Sequence, residues 1–469
     1  MNFSRFSLLQ VQDREKASAW IDSIVDELTH AGVVRKDELP DTCLNIAFAR
    51  DGLKALGMSE ANINTFSPPF KEGMVTPHRK RLLGDIDSSD PKTWLWGRPV
   101  EEPDAKKGPE DKSEYEPVEI LLLTFGRDKE TCLRYYESLR EGFESHGLKL
   151  LRNLDGLTLK DNKEHFGFRD GIAQPIIKGS GRTGPDYNCV NPGEFILGYK
   201  NNYDVYPDSP TLEEEQGDIN LLGPNPARPG FKDLGKNGSY LVIRQMQQDV
   251  DAFWTFMKER TRRADGSIDE QASIKLASQM IGRWPSGAPL SKFPDSDPGG
   301  ASDDNDFLYA KDDPTGAKCP FGSHLRRMNP RDNFETDSPE RSLILSNRHR
   351  LIRRARLYGD PIIGSPLNHK PKGDVGIYFN CFCADISRQF EFLQYTWSNY
   401  PKIKQLYSDP DPIIGVVENP QEKQEQQFTI QGEPYNETVK NLQRFITIRG
   451  GAYFFFPSIT TIRYLCSLD

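Results

Sequence analysis

The chain has 469 residues, enough for two domains of ordinary size. Lysine plus arginine number 60 and aspartate plus glutamate 69, a net charge of −9 that argues against a general nucleic-acid binder. Apolar residues make up 36% and aromatics 10%, which supports a real core, while 38 glycines and 34 prolines indicate much irregular chain.

The first residues, MNFSRFSLLQVQDREK, contain no apolar run of secretory length. Leu44-Asn-Ile-Ala-Phe-Ala predicts a strand that leads into a helix at Asp51. Glu119 to Phe125 predicts a second strand, with an amphipathic helix from Thr131. Tyr240-Leu-Val-Ile-Arg precedes a helix from Val250. Gly376-Ile-Tyr-Phe-Asn-Cys-Phe precedes another from Ile386. Two such units fall on each side of residue 230, as two halves of split βαβ type would require. Residues 205–238, rich in proline, glycine and acid, read as the linker between them. Gly97 to Pro117 and Pro289 to Lys318 read as excursions. The most apolar runs, Ile120 to Phe125 and Ala452 to Phe456, are strand-sized, so no membrane span is expected. The chain ends at Ser467-Leu-Asp469, soon after a β-rich run. No targeting extension is expected there.

Seven cysteines are scattered without a CxxC pair, which excludes a zinc ribbon, a thioredoxin site and a CxxCH haem attachment and favours a reduced, cytoplasmic protein. HExxH, GxSxG and Walker A sequences are absent. Gly179-Ser-Gly-Arg-Thr-Gly184 matches GxGxxG but is followed by Pro185 and polar chain instead of a helix. The acids from Asp295 to Asp306 loosely imitate a calcium loop that lacks its helices, and a solvated acidic loop is the expectation.

Three segments carry chemistry. His165-Phe-Gly-Phe-Arg-Asp170-Gly171-Ile-Ala-Gln-Pro175 should be a stiff loop that either fixes one carboxylate or forms an ordinary Asp turn. Cys319-Pro-Phe-Gly-Ser-His324-Leu-Arg326-Arg327-Met-Asn-Pro330 predicts a short helix that presents His324 and Arg327 on one face. From Phe321 to Arg356 there are nine arginines and no lysine, a bias toward forked recognition of anionic oxygen, or toward internal ion pairs or a phosphate patch.

These segments, in this order, resemble the dye-decolorizing peroxidase family, in its larger, elaborated form. Gly167-Phe-Arg-Asp-Gly171 is similar to its GxxDG signature, Ser323 to Pro330 to its proximal-histidine segment, and Arg350-Leu-Ile-Arg-Arg-Ala-Arg-Leu-Tyr-Gly to its distal-arginine segment. Gly193-Glu-Phe-Ile-Leu-Gly-Tyr, Gly282-Arg-Trp-Pro-Ser-Gly-Ala-Pro and Gly376 to Phe392 add to the likeness, which spans about residues 120–400. The resemblance implies an α+β fold of two ferredoxin-like halves with antiparallel sheets and peripheral helices, of the dimeric α+β barrel type. Its domains would be residues 1–230, carrying the GxxDG loop, and 231–469, binding the cofactor.

It also implies a haem peroxidase with non-covalent haem b. Hydrogen peroxide would oxidise dyes, phenols or other one-electron donors through a high-valent iron-oxo state. His324 would be the axial iron ligand, with Asp385 hydrogen-bonded behind it and Glu391 as the alternative. Asp170 would carry the peroxide proton, and Arg353 would stabilise the charge that develops, with Arg350 and Arg354 as alternatives. Arg326 is expected at a haem propionate, Gly171 beside the cofactor, and His165 in the channel or in an ordinary hydrogen bond. An aspartate base would keep activity at acidic pH. Expected partners are peroxide and a reductant, with a homodimer allowed and neither nucleic acid nor membrane. The competing readings are a haem-handling or storage protein, an enzyme with Cys319 thiolate on iron, and a haem-free interaction protein.

Overall fold

The computed structural model describes residues 1–31, 39–98, 117–334, 338–361, 364–365, 367–368, 370–416 and 426–468. In the first half, strands β1 (Phe3–Val11), β2 (Thr42–Phe48), β3 (Ile120–Gly126) and β4 (Leu148–Leu157) line up as β2-β3-β1-β4, all antiparallel. Helix α1 (Arg14–Ile24) follows β1 and α2 (Lys129–Arg140) follows β3. This is the split βαβ arrangement.

The second half repeats it. Strands β5 (Ser239–Gln248), β6 (Ile352–Arg353), β7 (Arg356–Tyr358), β8 (Gly376–Cys383) and β9 (Ile446–Phe456) give the order β9-β5-β8-β7, with β6 also on β8. Helices α3 (Val250–Arg260) and α4 (Glu270–Ile281) follow β5, and two π-helical turns, Ser387–Glu391 and Leu393–Asn399, follow β8. Contacts at Phe455 to Phe48 and Leu157 to Leu357 join the halves into one ring of strands. The expected helix after Leu44–Ala49 is only the short Arg50–Ala55 turn. The unit equivalent to β5–α3 is β1–α1, at the very start of the chain.

Local chemistry explains the element starts. Asp13, Asp128, Asp249 and Asp269 each accept a backbone N–H from the first turn of α1, α2, α3 and α4, at 2.8–3.2 Å. Alternation in the strands then sends Phe6 and Leu8, Leu121 and Leu123, and Leu241 and Ile243 into one cluster with Tyr358, Tyr378 and Phe454, inside the ring. The opposite faces carry Leu9, Ile46, Leu122 and Val242 into the larger core under the helices.

Residues 205–238 form irregular chain that docks on the first half. The Asn62 carboxamide oxygen accepts the N–H groups of Glu213 and Glu214 at 2.8 and 3.0 Å. Pro289 to Lys318 is mostly loop with one short helix at Tyr309–Asp312, and most of Gly97 to Pro117 lies outside the described residues. Among the described residues, no helix is long and apolar enough to cross a membrane.

One ion pair inside this core has a measurable consequence. Arg244 on β5 and Asp85 are both buried and make two hydrogen bonds, and burial pushes the Asp85 carboxyl above its usual range despite the arginine. Arg244→Met strips Asp85 of both hydrogen bonds, leaving only the charge of Arg444 nearby, and is expected to cost about 3–5 kcal/mol, read from the denaturant midpoint. Adding Asp85→Leu should recover much of that loss. A double variant less stable than Arg244→Met would contradict this account.

Candidate active site

The second half-sheet, the Asp170 loop and the segments after β8 enclose a cavity with about 1480 Å³ of empty space, counted out into its mouth. Met246, Leu351, Phe379, Phe390, Leu393 and Ile414 give it apolar walls. His324, Asp170, Arg353, Arg350, Arg283 and Glu164 supply the polar groups.

His324 opens helix α5 (His324–Met328) after the N-cap residue Ser323. Its Nδ1 hydrogen-bonds Asp411 Oδ2 at 2.9 Å, which leaves Nε2 as the nitrogen available to a ligand. Asp411 is fully buried, and its other oxygen accepts the N–H groups of Ile413 and Ile414 at 2.9 and 3.0 Å. Burial opposes its charge, but His324 and Arg327 outweigh burial and hold the carboxyl below the usual range. Arg327, one helical turn beyond His324, donates to the carbonyl oxygens of Trp397, Asp409 and Tyr400 at 2.6–2.8 Å. The helix thereby clamps the very segment that supplies Asp411.

Asp170 ends a tight loop. Gly167 and Gly171 have φ of +97° and +80°, which glycine alone adopts without strain. Asp170 Oδ1 accepts from Arg353 Nη1 at 3.0 Å. About a third of the Asp170 side chain, 37%, is exposed to the cavity. Burial works against its ionisation, yet the charge of Arg353, the N–H of Gly171 and His324 keep the carboxyl below the usual aspartate range. Arg353 sits on β6, paired with Cys381 of β8, and its N–H donates to Gln174 Oε1 at 3.1 Å. The carbonyl oxygen of Gln174 accepts from Asn188, whose Oδ1 accepts from Arg350 at 2.9 Å.

Several expected positions differ. Asp385 is not behind His324; its Oδ1 accepts the Arg388 N–H at 2.9 Å and starts the π-helical turns. Glu391 is buried against Arg79 and the Tyr453 hydroxyl instead. Arg326 does not reach the cavity: its guanidinium is spent on Asp313, the Cys319 carbonyl and Asn333 at 2.6–2.8 Å, between the rings of Tyr309 and Phe321. His165 lines no channel; it is buried, with Nε2 on the Tyr358 carbonyl at 2.9 Å. Gly171 shapes the turn and does not line the cavity. Arg354 turns away, donating to the Arg353 carbonyl. Cys319 is buried beside Ser323 outside the cavity, and burial raises its thiol pKa, so a thiolate ligand is not supported. Of the acids of 295–306, Asp303 pairs with Arg169 and Asp304 with Lys292, and no three-residue metal cluster exists among the described residues.

Sequence reading missed Asp411, Arg283, Gln174 and Glu164. Arg350 and Arg283 line the cavity with no carboxylate partner among the described residues. Burial and the neighbouring arginines push Arg350 down to about 9, and burial and Arg331 push Arg283 down to about 10. A flat macrocycle with apolar faces and two carboxylates matches this donor set: one anchored imidazole, apolar walls and two unpaired cations. The residues present therefore fit a haem.

No family model matches the chain. Among curated proteins, it is 31% identical over 349 residues to a multifunctional dye peroxidase of an Amycolatopsis species, covering 71% of this chain and 68% of that protein. It is 29% identical over 464 residues to a dye-decolorizing peroxidase of Mycena epipterygia, covering 92% of this chain and 78% of that protein. Among solved structures, an ancestral D-type dye-decolorizing peroxidase superposes with a TM-score of 0.76 at 25% identity, over 99% of this chain and 96% of that one. A dye-decolorizing peroxidase in complex with 2,6-dimethoxyphenol gives 0.76 at 23% identity, over the same shares.

Proposed function

The chain belongs to the dye-decolorizing peroxidase family and is a haem peroxidase that uses hydrogen peroxide, and we propose that His324, Asp170 and Arg353 are the residues that carry the reaction. The observation that supports this most is the meeting of two charge-linked pairs, His324–Asp411 and Asp170–Arg353, in one apolar cavity. Residues 231–469 bring His324, Arg353 and Asp411, while residues 1–230 bring Asp170.

His324 would hold the iron through Nε2, with the buried Asp411 carboxylate fixing the tautomer and making the imidazole a stronger donor. When bound, the haem supplies the iron that cleaves the peroxide bond and stores its oxidising equivalents. Asp170 takes the proton from one peroxide oxygen and returns it to the other, which leaves as water. Arg353 holds the Asp170 carboxylate by one N–H and offers its remaining donors to the oxygen on which negative charge builds. Arg350 would receive a haem carboxylate, and Arg283, held by the Gly287 and Asp304 carbonyls and by Asn305, would add its charge beside the cavity; Arg326, paired with Asp313, can do neither. The apolar walls exclude water and strengthen each of these interactions.

No cysteine lines the cavity, which supports non-covalent haem b. Dyes and phenols are the proposed electron donors, in keeping with the phenol bound by the related structure. Seven unpaired cysteines support a reducing compartment such as the cytoplasm.

Haemin titration of the wild type and His324→Ala tests the assignment. The wild type should give a Soret band of the histidine-ligated, high-spin ferric type. His324→Ala should bind haemin more weakly and lose that pattern. An unchanged spectrum in the variant would remove His324 as the ligand.

A further inference from the structure

Glu164 is a half-buried residue whose carboxyl lies on the wall of the same cavity and is not used by the mechanism. We propose that Glu164 is a positioning residue for Asp170, fixing how the loop that carries the base reaches into the cavity. The inference rests on Asp170 as the base.

Glu164 is the hub of the loop. Its Oε2 accepts the N–H of Phe166 at 2.8 Å and its Oε1 that of Phe168 at 2.9 Å. Its own N–H donates to the Phe168 carbonyl, and its carbonyl accepts from Gly167, both at 2.9 Å. Four hydrogen bonds thus close five residues around one side chain, and Asp170 follows two residues later. A third side-chain contact ties the hub to the sheet, from Gln248 Nε2 on β5 at 2.6 Å. Phe166 stacks on Phe253 at 4.3 Å and Phe168 on Trp254, so the loop's rings lie against α3.

The charge that faces Glu164 is Asp170, itself neutralised by Arg353. Arg169 pairs with Asp303, His165 bonds Tyr358, Gln248 is neutral, Asp249 caps α3, and α3 packs the rings of Phe253 and Trp254 on the loop. Burial, opposed by the bonds from Gln248, Phe166 and Phe168 and aided by Asp170, pushes Glu164 up to about 7. The anion grips both backbone N–H groups through charge-assisted bonds; the acid grips them less. The buried Gln248 Oε1 has no partner. An amide flip lets it accept the Glu164 O–H, so the pair survives protonation while the loop loosens.

The test uses the haem-loaded enzyme and, separately, the haem-free protein. Glu164→Gln should lower the second-order rate with peroxide by about 10- to 100-fold while haemin affinity holds. The wild-type rate should rise modestly through an inflection near pH 7 that the variant lacks. In the haem-free wild type, amide exchange protection at Phe166 and Phe168, corrected for intrinsic exchange, should fall as pH drops through the same point. A variant with wild-type rate and pH profile overturns the proposal. If the variant does not fold, pH-independent protection in the wild type overturns it alone. Asp170→Asn separates the two levels: if it leaves the peroxide rate intact, the base assignment itself fails. If it abolishes the rate and Glu164→Gln does not, only the positioning role fails.

Discussion

Asp170→Asn is expected to slow the reaction with peroxide by about 10²–10⁴-fold, the usual worth of a positioned proton-transfer group, while haemin binding stays near that of the wild type. The amide keeps the shape of the loop and an oxygen for Arg353 Nη1, so the cavity should survive. What disappears is the basic oxygen. Arg353 then faces the cavity without its anion, which leaves its charge available to peroxide but gives the proton nowhere to go.

The same carboxyl sets the pH response. Asp170 acts only when ionised, and burial, which opposes its charge, is outweighed chiefly by the charge and hydrogen bond of Arg353 and by the Gly171 N–H, so its pKa lies below the usual aspartate value of about 3.9. The base is therefore present throughout the mildly acidic range and is lost only as pH falls through that depressed value. Stopped-flow rates between pH 3 and 7 check this. A collapse below about pH 6 with haem still bound, seen also in Glu164→Gln, which lacks the inflection near pH 7, would mean that a histidine-like group, not Asp170, takes the proton.

The parts of this site that could be read from the chain were those written locally. The GFRDG loop requires two glycines at positive φ, and their spacing around Asp170 stands in the sequence itself. His324 and Arg327 were placeable because a short helix before Pro330 puts i and i+3 on one face. The strands β2, β3, β5 and β8 announced themselves as apolar runs. Strand β1 did not, because Ser4, Arg5 and Ser7 interrupt it, and the repeat was placed one strand late. Ser4 and Ser7 are buried there, Ser7 bonded to Asn153 on β4, so tertiary pairing decided what local propensity could not. Partnerships across the chain were the least legible. Arg326 has the composition of an anion binder, but Asp313 and two carbonyls consume it, a fact that only folding reveals. Asp385 was the wrong acid for a related reason. It stands in a conspicuous motif, while Asp411 stands in Asp409-Pro-Asp-Pro-Ile-Ile-Gly415, which reads as a plain proline-flanked Asx turn. The turn is real, with Ile413 and Ile414 on Oδ1, and it is what aims Oδ2 at His324 across 87 residues.

Asp411 therefore carries the second large expectation. In Asp411→Asn, a single amide oxygen must choose between two sets of N–H donors. It can accept from Ile413 and Ile414, or from His324 Nδ1, and the amide NH₂ then confronts whichever donor is left. Either choice removes the anion behind the imidazole. Haem affinity should fall by about 10–100-fold, as for other partners of metal-bound histidines, and the ferric/ferrous potential should become more positive because His324 donates less. Asp385→Asn supplies the contrast. Its oxygen can still accept the Arg388 N–H, and nothing it touches reaches the cavity, so affinity and potential should stay put. Measuring both variants by haemin titration and spectroelectrochemistry decides between the two acids. A shifted potential in Asp385→Asn with none in Asp411→Asn would return the role to the residue that the motif alone suggests.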